Sequence, residues 1–148
     1  MNIVKISREH IEECVDLFID VFTKAPWNDT YSSREQVVDF FRSYINNNYF
    51  VGYILKEQEH IIAMSIGMKK PWISGMEYYI DQFCVKASWQ GKGIGIYFLK
   101  LIEREIRMEK MNAIILNTER GFPSEKFYLK NGFESINELT TLIKYPAE

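Results

Sequence analysis

Val85-Lys-Ala-Ser-Trp-Gln-Gly-Lys-Gly-Ile-Gly-Ile-Tyr-Phe-Leu-Lys100 is the stretch around which the rest of the chain is organised. The aromatic-rich apolar run that leads into it, Tyr78 to Val85, reads as a strand. Gly91, Gly93 and Gly95 then mark a short turn. After the turn, Ile96, Leu99, Ile102 and Ile106 recur at helical spacing, with Lys100, Glu103, Arg104, Arg107 and Lys110 between them. Strand, glycine turn and helix together aim backbone N–H groups at an anion. The first turn of a helix has unsatisfied donors and a partial positive charge. Glycine lets a ligand approach the backbone with no Cβ in the way.

The turn is not a nucleotide fingerprint. A P-loop requires Gly-x4-Gly-Lys-Ser/Thr, which is absent. The spacing Gly91-x-Gly93-x-Gly95 also misses the Gly-x-Gly-x-x-Gly of dinucleotide-binding folds. By itself the triplet is equally a tight strand–helix connection. Composition narrows the classes further. The length of 148 residues suits one domain over 1–148 with a real core. The net charge of −2 gives no global case for nucleic acid. Cys14 and Cys84 fit a reducing compartment better than a disulfide framework. The N-terminus lacks a basic segment followed by a long apolar run, and no apolar stretch approaches bilayer length. His10 and His60 lack metal-ligand spacing. The expectation is a cytoplasmic, metal-independent domain with no membrane partner.

Taken in order, residues 2–6 read as a first strand, and Ser7 caps a helix over about 8–23. That helix has an apolar face of Ile11, Cys14, Val15, Phe18, Val21 and Phe22. Lys24 to Tyr31 is a loop, and its Trp27 and Tyr31 either cover the core or touch a ligand. Ser33 and Gln36 fit a capping box for a second helix that turns Val37, Phe40, Phe41, Tyr44 and Ile45 inward. Strands follow at Tyr49–Lys56 and His60–Met68, with Gly67 marking a bulge or close approach. Lys69–Gly75 reads as a loop, since Pro71 cannot join a central ladder. Beyond the glycine helix come a short buried strand at Asn112–Thr118 and a helix at Ser124–Lys130. Asn131-Gly132 stops that helix, and one long or two short strands fill Phe133–Pro146. The class is α/β or α+β with a mixed sheet.

Two motifs change the reading of the glycine turn. Gln90-Gly-Lys-Gly-Ile-Gly95 matches Gln/Arg-x-x-Gly-x-Gly/Ala, and Phe127-Tyr-Leu-Lys-Asn-Gly-Phe133 lies downstream. At this separation, and with this element order, the chain resembles the GNAT superfamily of acyl-CoA-dependent N-acyltransferases over nearly its whole length. The resemblance implies a mostly antiparallel sheet with helices on both faces and strands splayed at the acetyl-CoA site. It implies that the backbone of Gln90, Gly91, Lys92, Gly93, Ile94 and Gly95 cradles the pyrophosphate of acetyl-CoA. It implies that Phe83, Cys84 and Val85 hold the pantetheine arm and that Tyr128 is the general acid. Where the family often has an Asn seven residues before that tyrosine, this chain has Gly121; Asn117 either supplies an amide to the cofactor or simply ends a strand.

An amine must lose a proton before it attacks a thioester, and a carboxylate can take it. Period-two alternation over Glu77–Val85 places Glu77, Tyr79, Asp81, Phe83 and Val85 on one face. Family bases commonly lie six residues before the strand valine, which is Tyr79 here; Asp81 is displaced by two and is the best candidate. The competing reading has Asp81 bind the substrate ammonium or pair internally. Trp27, Asn28, Asp29 and Tyr31, with Tyr79 and Asp81, would line an acceptor cleft suited to a cationic amine. The expected activity is direct transfer of acetyl from acetyl-CoA to a small-molecule or peptide amine in a ternary complex, with a homodimer possible. The alternative is an acyl-CoA-binding module or sensor without turnover.

Overall fold

Residues 1–147 are described in the computed structural model of the chain. The strands are β1 (Asn2–Lys5), β2 (Phe50–Glu57), β3 (His60–Trp72), β4 (Gly75–Val85) and β5 (Ala113–Leu116). The helices are α1 (Ile11–Phe22), α2 (Arg34–Ile45), α3 (Ile94–Met108) and α4 (Pro123–Lys130). They fall into two compact units, Met1–Asn117 and the segment from Thr118 onward.

The first unit contains the sheet, in the spatial order β1-β2-β3-β4-β5. β1 to β4 run antiparallel to their neighbours, and β5 lies parallel to β4. The sheet has a core on each face. α1 and α2 bury Cys14, Val15, Phe18, Val37, Val38 and Phe41 against Ile54, Met64, Ile66 and Cys84. On the opposite face α3 buries Ile94, Phe98, Ile102 and Ile106 against Tyr53, Leu55, Tyr78 and Ile80. Ile96, expected on the inward stripe of α3, is 37% exposed, and Phe98 takes the buried position.

Local chemistry explains the element ends. Ser33 Oγ accepts the Gln36 N–H at 3.2 Å, as a helix cap should. The reciprocal half of the expected box is moved by one residue, because Gln36 Oε1 accepts the N–H of Ser32 at 2.8 Å. Gln58 and Glu59 connect β2 to β3 with φ of 49° and 69°, the left-handed conformation of a tight hairpin.

Two expectations are corrected. Lys69–Trp72 is strand, with Pro71 in register opposite Met76. The reason lies on the other side of β3. The Lys69 N–H reaches Tyr49 O at 2.7 Å just before β2 begins, so two residues on, the ring nitrogen of Pro71 lies beyond the end of β2. A strand tolerates proline where no ladder bond is needed. The strands expected over Phe133–Pro146 do not form. Residues 134–147 are exposed and carry a turn in which Leu139 N–H donates to Ile136 O at 3.2 Å. Alternating apolar residues make a strand only when a neighbour satisfies their backbone groups, and here Leu142 stays 87% exposed.

Candidate functional site

β4 is the structural centre of the site. Its register against β3 runs Ile66↔Gln82 and then Gly67↔Ile80, so Asp81 is the extra residue of a β-bulge. Gly67 makes the bulge possible. A Cβ on Gly67 would lie 1.8 Å from Tyr79 O, so the two backbones approach only because that atom is missing. The expectation of a bulge or close approach at Gly67 is met.

The bulge breaks the period-two alternation, which corrects the expected grouping. Before it, Tyr78 and Ile80 point to the α3 face; after it, Phe83 and Val85 do, while Cys84 joins the α1–α2 core. Glu77 and Tyr79 therefore lie on the face opposite to Phe83 and Val85. Phe83 stacks on Phe98 of α3, with centroids 5.6 Å apart. Asp81 is half-buried at the kink. It accepts a 3.3 Å hydrogen bond from Gln82 Nε2.

β4 also outruns its parallel neighbour. The last registered pair with β5 is Ile80↔Leu116, and β4 continues to Val85. β5 ends there, so residues 81–85 of β4 have no β5 partner. Asn117, the next residue after β5, donates from Nδ2 to the Tyr79 hydroxyl at 3.3 Å. That contact links the end of β5 to the α1–α2 side of β4.

From Val85 the chain passes through a short 3-10 turn, Ala87–Trp89, into Gln90–Gly93 and then α3. Gln90 Nε2 donates to Val85 O at 2.8 Å, tying the turn back to the strand end. Spacing alone did not reveal this internal role for Gln90. Gly91 and Gly93 have φ of 74° and 77°, left-handed values that side chains disfavour, and a Cβ at either would meet nothing within 4 Å. Both glycines are thus required by conformation, and the space over them is open. α3 begins at Ile94 with Gly93 as its cap and no side-chain cap, so its first N–H groups lack an intrahelical partner. Gly95 lies within the first helical turn. Lys92 Nζ sits 5.5 Å from the centroid of the Trp89 ring. The donor set of a glycine turn opening a 15-residue helix suits a diphosphate.

The loop after α1 packs down. Trp27 lies edge-on to Phe22 at 5.4 Å, and Tyr31 lies 5.7 Å from Phe18. Both rings cover the core on the α1–α2 side. Tyr31 also donates to Asp29 Oδ2 at 3.3 Å, and its phenol is raised to about 12, by burial first and then by Asp29. Asn28 is exposed and holds a left-handed φ of 51°. The thiols of Cys14 and Cys84 are both pushed up by burial, to about 12 for Cys14, which makes them core residues rather than nucleophiles.

In the second unit, Tyr128 is buried on α4. Its ring lies at T-shaped angles to Phe127 and Phe133, with centroids 5.3 and 5.1 Å away. The helix ends as its sequence requires: Asn131 and Phe133 both donate to Tyr128 O, and Gly132 has φ 92°. At its start, Glu125 Oε1 accepts the Gly121 N–H at 3.0 Å. Among the described residues no group of three or more His, Cys, Asp or Glu side chains is arranged to hold a metal ion.

This architecture matches that of known proteins. Residues 11–133 match the sequence profile of the Acetyltransferase (GNAT) family, and the chain belongs to that family. Three solved structures illustrate the shared fold. An aminoglycoside acetyltransferase from an uncultured soil metagenomic sample, solved with sisomicin, superposes with TM-score 0.73 at 14% identity over 99% of this chain and 96% of that one. An aminoglycoside N-acetyltransferase in complex with CoA gives 0.72 at 13% identity, over 99% and 93%. A transcriptional regulator from Bacillus halodurans gives 0.76 at 16% identity, over 97% and 99%. Family membership supports acyl transfer as the chemistry, with acetyl-CoA as the donor the family uses. No helix among the described residues is long and apolar enough to cross a membrane.

Proposed function

We propose that the protein transfers an acetyl group from acetyl-CoA directly to an amine, through a ternary complex, and that residues 1–148 act as one N-acetyltransferase domain. The observation that carries this reading is the Gln90–Gly93 turn, with two left-handed glycines and open space above them, leading into the uncapped start of α3. The amides from Gln90 to Gly95 bind the pyrophosphate. The backbone of Phe83, Cys84 and Val85, beyond the last pair with β5, holds the pantetheine arm. When bound, acetyl-CoA supplies an activated thioester carbonyl.

The chain's own residues handle the protons. A primary amine near pKa 10.4 is mostly charged at neutral pH and not nucleophilic. Asp81 takes a proton from the acceptor ammonium, directly or through water, and so frees the lone pair. Tyr128, protonated at neutral pH, donates to the departing thiolate. Trp27, Asn28, Tyr31 and Tyr79, with Asp81, line the acceptor side. Acidic and aromatic groups there favour a cationic amine such as a polyamine or aminoglycoside. The aminoglycoside acetyltransferases of the same fold are consistent with that preference. Asn117, which donates to Tyr79, supplies an amide to the cofactor beside the acceptor side.

The test has two arms. Acetyl-CoA at about 100 times its Kd stabilises the native state by about 2.7 kcal/mol, visible as a rise in Tm. Gly93→Val, strained at φ 77°, reduces that rise. A wild-type protein that shows no rise rules out the cofactor reading. Thiol release with a panel of amines then separates a transferase from an acyl-CoA sensor, because a sensor binds without turnover.

A further inference from the structure

The segment that follows α4 has the sequence of a strand and no strand beside it. Ile136, Leu139, Leu142, Ile143 and Tyr145 are each more than half exposed. Soluble chains leave single apolar residues exposed, but a contiguous run of them marks a contact surface. Thr140-Thr-Leu-Ile-Lys-Tyr145 is rich in β-branched and aromatic residues, and Pro146, with no N–H, ends any ladder there. Among the described residues, none from Thr140 to Ala147 takes part in a hydrogen bond or ion pair. In an extended chain Leu139, Thr141, Ile143 and Tyr145 share one face. Thr140, Leu142 and Lys144 share the other with Glu138, which leads into the segment.

We propose that a second copy of the chain covers this segment: residues 138–145 of two copies pair as antiparallel strands about a twofold axis at Thr141. A twofold contact must be complementary to itself, and this sequence is. In an antiparallel pair, residues directly opposite one another point to the same side of the ribbon. The axis must therefore pass through a residue, so that odd positions meet odd and even meet even. Centred on Thr141, it sets Glu138 opposite Lys144 of the second copy and Leu139 opposite Ile143. Thr141 meets its own counterpart, and Thr140 meets Leu142. Opposite charges and apolar pairs placed this way stabilise a ladder. Centred on Thr140, the axis sets Glu138 opposite Leu142 instead. Centred on Leu142, it sets Glu138 opposite Pro146 and Lys144 opposite Thr140. Of the three, only the Thr141 axis pairs the charges, so the sequence specifies the register. The pairing also satisfies the backbone groups that one chain by itself leaves to water.

Sedimentation velocity on the full chain measures the assembly, and a cooperative thermal transition in each variant checks folding. Wild type sediments as a dimer. Ile143→Asp, at a position exposed in the single chain, sediments as a folded monomer. Glu138→Lys and Lys144→Glu each raise the dimer Kd by about 10-fold, because like charges replace opposite ones at both ends of the ribbon. The double variant Glu138→Lys/Lys144→Glu restores it. Disulfide formation with diamide reads the register, and the native Cys14 and Cys84 are buried and do not compete. Thr141→Cys, opposite its own counterpart, crosslinks two copies at a Cα separation that a disulfide spans. Thr140→Cys, offset from its counterpart, crosslinks about 10-fold more slowly or less. A wild type that is monomeric at every concentration overturns the proposal, as does a dimer that Ile143→Asp leaves intact. A double charge variant no tighter than the single ones, or equal crosslinking at Thr140→Cys and Thr141→Cys, overturns the register and the proposal with it.

Discussion

Gly67 and Tyr79 meet at a separation that only glycine permits. Adding a methyl group at Gly67 would place it on Tyr79 O, a backbone atom that cannot rotate away. Gly67→Ala is therefore expected to destabilise the fold by about 3 kcal/mol, the upper end of overpacking costs, as read from urea unfolding. It also pulls Asp81 back toward the pleat, so acceptor turnover falls further than stability alone explains. Tyr128 presents a different residue-scale question, because its phenol is proposed to act only in the chemical step. Tyr128→Phe retains the ring contacts with Phe127 and Phe133. The maximal rate falls by about 10²-fold or more where chemistry limits, the usual contribution of a positioned acid. An unchanged rate removes Tyr128 from the mechanism. Both residues were marked in the sequence, Gly67 as a break in an apolar strand and Tyr128 by its motif. The bulge at Asp81 was not, because an extra residue on one strand is defined only by its partner.

At the level of elements, helix starts followed local chemistry and helix faces followed packing. Ser33 caps α2 as its sequence signature indicates. Ser33→Ala is expected to cost about 1 kcal/mol. Ile102 on α3 is fully buried against the sheet. Ile102→Ala leaves a hole in that core and costs about 3 kcal/mol. Urea denaturation of both variants checks the ratio; equal losses would mean that α3 contributes less to stability than its burial implies. The outward turn of Ile96 has a simple cause. A spacing of three or four defines a stripe but not which edge of the stripe meets the sheet.

Across the whole molecule, several buried acids share one direction of change. The thiol of Cys14 rises to about 12 from an ordinary value of 9.0, chiefly by burial, and Cys84, Tyr44, Tyr53 and Tyr78 are raised for the same leading reason. The folded state thus holds these protons more tightly than the unfolded chain. Their contribution to stability is complete below the unfolded values and is lost as pH rises through about 9 toward 12. The urea midpoint should fall steadily between pH 8.5 and 11, and both thiols should stay inert to a thiol reagent until the protein unfolds. Early labelling of Cys84 without unfolding would show that the α1–α2 core opens locally.

The order of elements up to α4, the amphipathic faces, the glycine turn and the tyrosine motif were all legible in the chain. Each depends on contacts within a few residues: caps, helical spacing and left-handed glycines. The extension of β3 through Pro71 and the bulge that separates Asp81 from Phe83 were decided by strand neighbours. So was the failure of Phe133–Pro146 to form strands. Strand pairing satisfies backbone groups between segments far apart in sequence, so periodicity states which residues alternate but not which strand stands opposite. The glycine turn was evident from its own residues as a tight strand–helix connection with the donors of an anion site; which face of β4 each residue takes was settled only when Gly67 met Tyr79.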